Sequence, residues 1–156
     1  MSSLKVRRLC LLEYAGSAFS GDGAFLFGGR WNPPGVSMVY AATSLSLAAL
    51  EMLVHMPVRE LPKDYVWIEA DLRVEESKVE RWPVSSLPRD WRSLENAELQ
   101  AKGAAWSSAA KALAVLVPSV VIPEEWNVLI NPLHSAAKNI VVGAPKPFVF
   151  DERLFK

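Results

Sequence analysis

Arg30, Tyr40 and Glu51 are the side chains whose types and spacing suit chemistry on an anionic ligand. Arg30 lies in Gly28-Gly29-Arg30-Trp31-Asn32-Pro33-Pro34-Gly35, a turn-forming stretch. A guanidinium there offers a planar fork of donors that matches a phosphate or carboxylate. The same fork can serve only to tie down its own loop. Tyr40 closes a short apolar run and presents an aromatic face with a polar tip. Glu51 is a carboxylate set inside an otherwise apolar segment, residues 43–56.

The elements that must hold these groups follow the order loop, strand, helix. The paired glycines free the backbone for positive φ and let a ligand approach closely. Pro33, Pro34 and Gly35 stiffen and reverse the chain. Residues 37–41 have the size and content of a short buried strand, and Thr43 or Ser44 can cap the helix that follows. At about 100° per residue, Leu45, Ala49, Met52, Leu53 and Met56 share one helix face, and Ser44, Ala48, Glu51 and His55 the other. Two readings of the second face stay open: a solvated stripe, or the wall of a cleft. Its narrowness, with Leu47, Leu50 and Val54 flanking Glu51, suits the cleft.

Other constellations are thin. His55 and His134 stand far apart and Cys10 is the sole cysteine, so no metal site is expected. Cys10 has no local base to activate it and reads as a buried thiol. Ser119 or Ser135 can pair with His134 in space, but the Gly-x-Ser-x-Gly pattern of many hydrolases is absent. Neither a Walker nor a dinucleotide-fold glycine pattern occurs, so any nucleotide has to be held in another way. Asn131-Pro132, at a strand end, can bind a ligand or cap a turn.

The 156 residues are 51% hydrophobic and 22% charged, which suits one globular domain with a sizeable core. Lys+Arg and Asp+Glu both number 17, so no general attraction draws the chain to nucleic acid or anionic membranes. Only a local basic patch at Lys5, Arg7 and Arg8 departs from that neutrality. The single cysteine fits a reducing compartment. Glu13 cuts the apolar run at 9–12 short of an export signal, and no apolar stretch nears ~18 residues. A cytoplasmic protein is expected.

Along the chain, residues 4–14 suit a strand in preference to a short helix, 15–23 a turn or flexible loop, and 24–27 an apolar approach to the glycines. Residues 57–62 form a break, and 64–72 alternate as a half-buried strand. Residues 74–92 read as a strand end and a loop packed by Trp82 and Trp91. A helix is expected over 93–110, with Ser93 as cap and Gly103 weakening its middle. Residues 112–117, a second short run at 120–122, then 127–131, 138–142 and 148–150 supply further strands. Two helices among roughly six to eight strands predict an α+β fold with a mixed or antiparallel sheet.

The motifs at 28–35, Val39-Tyr40-Ala41 and Leu47-Ala48-Ala49-Leu50-Glu51 closely resemble the RES domain, a family named for an arginine, a glutamate and a serine. Val117-Pro118-Ser119-Val120-Val121-Ile122-Pro123, Asn131-Pro132-Leu133-His134 and Phe150-Asp151-Glu152-Arg153-Leu154 extend the likeness. It runs from near residue 6 to residue 154, with a poor match at 74–92, so residues 1–156 are read as a single RES domain. The resemblance implies a bacterial toxin of a toxin–antitoxin pair with an ADP-ribosyltransferase-like fold. It implies consumption of NAD+, with transfer of ADP-ribose to a protein in some members. The implied partner is an Xre-like antitoxin, held in a hetero-oligomer with the toxin.

Carried over by motif, the arginine is Arg30, the glutamate Glu51 and the serine Ser119, and Tyr40 matches the tyrosine of the family's pocket. Trp31 and Asn131 join Arg30 and Tyr40 as the residues expected to bind NAD+. Ser135 stands where the family pattern has proline, and Ser119 is preferred as the functional serine because its flanking prolines match. A single carboxylate is enough for such a reaction. Nicotinamide leaves as a neutral molecule, so only the oxocarbenium-like charge needs stabilising. The competing reading is a catalytically silent module that keeps the fold and the antitoxin surface. It expects Arg30 or Glu51 to be lost, and both are present.

Overall fold

Alternation in the first strand sets the centre of the fold, with Val6 and Cys10 in one buried row and Leu9 buried on the other face. The structure, a computed structural model, describes residues 2–56 and 63–155. The break expected at 57–62 lies outside them. Strand β1 (Lys5–Leu11) leads through a 3-10 segment over 12–17, in part of the stretch expected to be a loop. The apolar run at 24–27 belongs to a short helix, α1 (Asp22–Phe27). Gly21 enters it with φ +79° and Gly28 leaves it with φ +73°.

Strand β2 (Val39–Ala42) is followed by α2 (Leu45–Leu53). Ser44 caps α2, its hydroxyl accepting the Leu47 N–H at 3.1 Å. The most buried side chains of α2 are Leu47 and Ala48, whereas spacing puts Ala48 on the polar face with Glu51. The helix is rotated so that this edge meets β1 and β2: Leu47 and Ala48 pack on Leu9, Ala42 and Phe150. Full burial of a leucine such as Leu47 contributes about 1.5–3 kcal/mol.

Strands β3 (Tyr65–Asp71) and β4 (Val79–Arg81) precede α3 (Ala97–Ala109). The cap of α3 is Asn96, whose Oδ1 accepts the Leu99 N–H at 3.1 Å. Ser93, the expected cap, instead bonds the Glu95 carbonyl through its hydroxyl. Gly103 has a packing reason. A Cβ there would fall 1.6 Å from the Trp31 carbonyl oxygen, so only glycine lets α3 lie against that backbone.

Strands β5 (Ala114–Pro118), β6 (Trp126–Ile130), β7 (Val141–Val142) and β8 (Lys146–Phe148) complete the sheet. The run at 120–122 is a turn, because the Ser119 hydroxyl accepts the N–H groups of Val121 and Ile122. Residues 135–139 form a 3-10 segment, which shortens the strand expected at 138–142.

The sheet runs β4-β5-β6-β2-β1-β3-β7, with β8 also on β3, and only β4 and β5 are parallel. This is the mixed α+β architecture the sequence predicts. β1 is registered with β3 along its whole length, but with β2 at a single pair, Arg7 and Ala42. The sheet therefore parts between β1 and β2, and the parting opens a cleft beside α2. Below α3, Trp31, Trp82, Trp91 and Trp106 pack with Leu99 and Val117 into an aromatic core. No described helix is long and apolar enough to cross a membrane.

Candidate active site

Arg30 and Trp31 form the tip of a tight turn closed between Gly29 and Asn32. The fully buried Asn32 is the pivot of this segment. Its Nδ2 donates to the carbonyls of Ala24, Pro33 and Val36 at 2.9–3.0 Å, and its Oδ1 accepts the Tyr40 hydroxyl at 2.6 Å. That hydroxyl in turn accepts the Trp31 N–H at 3.0 Å. The glycine before Arg30 serves this arrangement: a Cβ on Gly29 would fall 2.6 Å from the Tyr40 oxygen. The close approach that Gly29 permits is thus made by a side chain of the protein itself. Burial pushes the Tyr40 pKa well above its ordinary value, against bonds from Trp31 and Asn32 and the charge of Arg30, so the phenol stays neutral.

Arg30 spends Nη1 on the main-chain carbonyls of Trp91 and Ser93, at 3.0 and 2.7 Å. It therefore does tie down a loop, though the loop is a distant one. Burial lowers its pKa, while Glu51 across the cleft and then the neighbouring Tyr40 act in the opposite direction. Gln100 of α3 supports the same turn through Nε2 to the Gly29 carbonyl at 3.0 Å.

Glu51 stands on the opposite wall, half-buried on α2. Its Oε1 accepts the Ser119 hydroxyl at 2.6 Å and the Asn127 Nδ2 at 2.9 Å. Ser119 is fully buried at the end of β5, and two N–H groups of the following turn fix its oxygen. The hydroxyl proton is thereby aimed at the carboxylate. Both protein donors fall on Oε1; among the described residues Oε2 has no such partner. One oxygen is anchored, and the other can meet a substrate.

The two walls enclose a cavity of about 690 Å³, lined by Glu51, Asn127, Tyr40 and Arg30 and also by Arg8 and His55. Arg8 is a residue that motif reading passed over. It shares the inward row of β1 with Val6 and Cys10, and that alternation was the signal available for it. Its Nη1 bonds the Tyr40 carbonyl at 2.7 Å across the parting of the sheet. Its Nε is buried without a protein acceptor. Burial lowers the Arg8 pKa and outweighs the nearby Cys10 thiol. A half-buried guanidinium with spare donors on a cavity wall suits an anionic ligand. Asn127 was also passed over, because nothing local marks a single asparagine in a strand.

Of the remaining expected residues, Trp31 reaches the cavity and the others lie elsewhere. The Trp31 ring is 3% exposed and packs 5.6 Å from Trp82, so it touches the cavity from within the core. Asn131 is outside the cavity. Its Nδ2 bonds the Ser107 carbonyl and its Oδ1 caps the Leu133 N–H, each at 3.0 Å, which is the turn-capping alternative. Ser135 and His134 line a separate hollow with Phe19 and Ile140, away from Glu51.

Comparison with known proteins agrees with this architecture. The family model described as the RES domain matches residues 5–151. A protein named Toxin Res from Photorhabdus laumondii is 38% identical over 151 residues, covering 96% of both chains. The Prs ADP-ribosylating toxin from Sphingobium is 36% identical, over 92% of this chain and 90% of that one. Among solved structures, the crystal structure of the M. tuberculosis MbcT-MbcA toxin–antitoxin complex matches with a TM-score of 0.71 and 20% identity. The match covers 99% of this chain and 87% of that chain. The latter is a likeness of fold, in keeping with the expected ADP-ribosyltransferase-like architecture. On the family model and these relatives together, the chain belongs to the RES-domain family of toxins.

Proposed function

We propose that this protein is the toxin of a toxin–antitoxin pair and that it cleaves NAD+ between nicotinamide and ribose in the bacterial cytoplasm. The observation that carries the reading is the Glu51 carboxylate, anchored through one oxygen by Ser119 and Asn127 on the wall of a cavity that also holds Arg8 and Arg30. In the reaction the glycosidic bond breaks and its electron pair leaves with nicotinamide. The pyridinium becomes a neutral pyridine, so no general acid is required. Positive charge develops on the ribose, and Glu51 stabilises it electrostatically at the moment it appears. Arg8 and Arg30 bind the diphosphate, Tyr40 offers its ring to ribose or nicotinamide, and Ser119 orients Glu51.

The acceptor of the ADP-ribosyl group is water, phosphate or a protein side chain. The name of the Sphingobium relative favours a protein acceptor as the second reading. Such an activity has to be held in check in its own host, and an Xre-like antitoxin that covers the cavity mouth does so. Full activity in a purified toxin–antitoxin complex would exclude that occlusion. The central test is to incubate the purified chain with NAD+ and follow free nicotinamide. Release by the wild type and its loss in Glu51→Gln are expected; a folded wild type that releases none overturns the reading.

A further inference from the structure

Two large apolar side chains stand exposed at the cavity and take no part in the chemistry above. Phe27 is 83% exposed and Leu94 is 94% exposed, and both line the cavity that contains Glu51 and Arg30. Scattered exposed apolar residues are ordinary, but the backbone beneath these two is fixed by the site itself. Phe27 ends α1, whose last turn is fixed by Gly28 N–H to the Ala24 carbonyl at 2.8 Å and by Asn32 Nδ2 to the same carbonyl. Leu94 follows Ser93, whose carbonyl accepts from Arg30 at 2.7 Å. Arg30 thus links the two segments, three residues after one and bonded beside the other.

The order of groups along this wall has a chemical counterpart. Arg30 is close enough to Glu51 for their charges to act on each other, and its loop and its Ser93 anchor carry the apolar pair. A dinucleotide carries its groups in the same sequence: the reacting riboside, the diphosphate and a second, flat base. We infer that Phe27 and Leu94 form an apolar clasp for the adenine of NAD+, gripping the end of the substrate that does not react. This rests on the NAD+ reading of the site and adds to it the residues that select a dinucleotide over a mononucleotide. Stacking on an aromatic ring needs no fixed hydrogen-bond pattern and gains from displacing water on both partners.

The test uses Phe27→Ala, Leu94→Ala and the double variant, each checked for an unchanged melting temperature. Neither side chain is packed in the core, so the fold should survive. Calorimetric titration with AMP should show binding weakened about tenfold in a single variant and further in the double. Binding of ribose 5-phosphate should not change. In kinetics, kcat/KM for NAD+ should fall about tenfold through KM, while nicotinamide mononucleotide, which lacks the adenosine, should be cleaved as by the wild type. AMP binding that is absent, or that survives the double substitution, overturns the clasp. So does an equal fall for NAD+ and the mononucleotide. A wild type that binds AMP through these residues yet releases no nicotinamide defeats the proposed reaction and leaves the clasp standing.

Discussion

The two walls of the cleft are built on different principles. On the Glu51 wall the bonds run from side chain to side chain: Ser119 and Asn127 reach across from β5 and β6 to hold one carboxylate oxygen. On the Arg30 wall, apart from the Tyr40–Asn32 bond, they run from side chain to main chain. Arg30 bonds the Trp91 and Ser93 carbonyls, Arg8 the Tyr40 carbonyl, and Gln100 the Gly29 carbonyl. The first wall aims a charge without carrying the fold. On the second, the cations proposed to bind the ligand also hold loops and strands together. Substitution of Glu51 should therefore affect rate alone, and substitutions on the second wall should affect rate, affinity and stability together.

The sharpest way to break that comparison is Glu51→Gln. It keeps the volume and leaves an amide oxygen to accept from Ser119 and Asn127, but it removes the charge. Turnover should fall roughly 10²–10³-fold, about 3–4 kcal/mol, by analogy with loss of one oxyanion-hole donor. KM and the melting temperature should stay near the wild-type values. Single-turnover kinetics beside thermal unfolding decide it. Near wild-type turnover would sink the mechanism, and a large loss of stability would sink the contrast between the walls.

Arg30→Ala should behave in the opposite manner. NAD+ affinity should weaken by about 1.5–3 kcal/mol, the range of a hydrogen bond to a charged group. Stability should fall as well, because two carbonyls lose their donor and residues 91–94 lose their anchor. Titration with NAD+ and denaturant unfolding of the same preparation measure both. Loss of affinity with no loss of stability would show that the main-chain bonds of Arg30 are incidental.

Ser119→Ala tests the boundary between the two principles. Ser119 donates to Glu51 and also accepts from Val121 and Ile122, so it belongs to both sorts of network. We expect a loss of about 0.5–2 kcal/mol in stability, as for other side-chain caps. Turnover should fall about tenfold, less than for Glu51→Gln, because Asn127 still holds the carboxylate. A fall in stability with unchanged turnover would reduce Ser119 to a turn cap.

The same contrast explains how much of the fold and of the site the sequence alone shows. Arg30, Tyr40 and Glu51 were legible because loop, strand and helix follow one another and bring them together by local geometry. The mixed sheet was legible from short apolar runs punctuated by proline and glycine. Asn127 was not, since its partner lies far off in sequence and only the pairing of Ala42 with Asn127 carries it to α2. Arg8 was noted as part of a basic patch, but its inward direction depends on strand phase, which a charged residue beside Arg7 obscures. Asn131 is the reverse case. A polar residue at a strand end, in a motif resembling the family, turned out to satisfy the backbone around it. Helix α1 is hidden for a similar reason: Phe25, Leu26 and Phe27 are exposed, so no periodicity toward the core marks it.

The smallest expected effect is a slope with pH, and it isolates the Tyr40 pivot of the Arg30 wall. Burial is the leading cause of its raised pKa, so the folded protein keeps the phenolic proton where an unfolded chain, with a tyrosine pKa of about 10, has lost it. Above about pH 10 the folded state therefore binds more protons than the unfolded state, and stability falls as pH rises. Below that value the contribution is fully present and flat. The slope due to this one group is about 1.4 kcal/mol per pH unit. Tyr40→Phe should lie lower on the plateau by about 1 kcal/mol, because Trp31 N–H and Asn32 Oδ1 lose their partner. It should then lack the extra slope, so that the two curves converge as pH rises. Denaturant unfolding of both proteins between about pH 9 and 11 measures the difference directly. Parallel curves over that range would mean that the Tyr40 hydroxyl already ionises in the folded protein, and that the pivot is less sealed than its bonds to Asn32 and Trp31 imply.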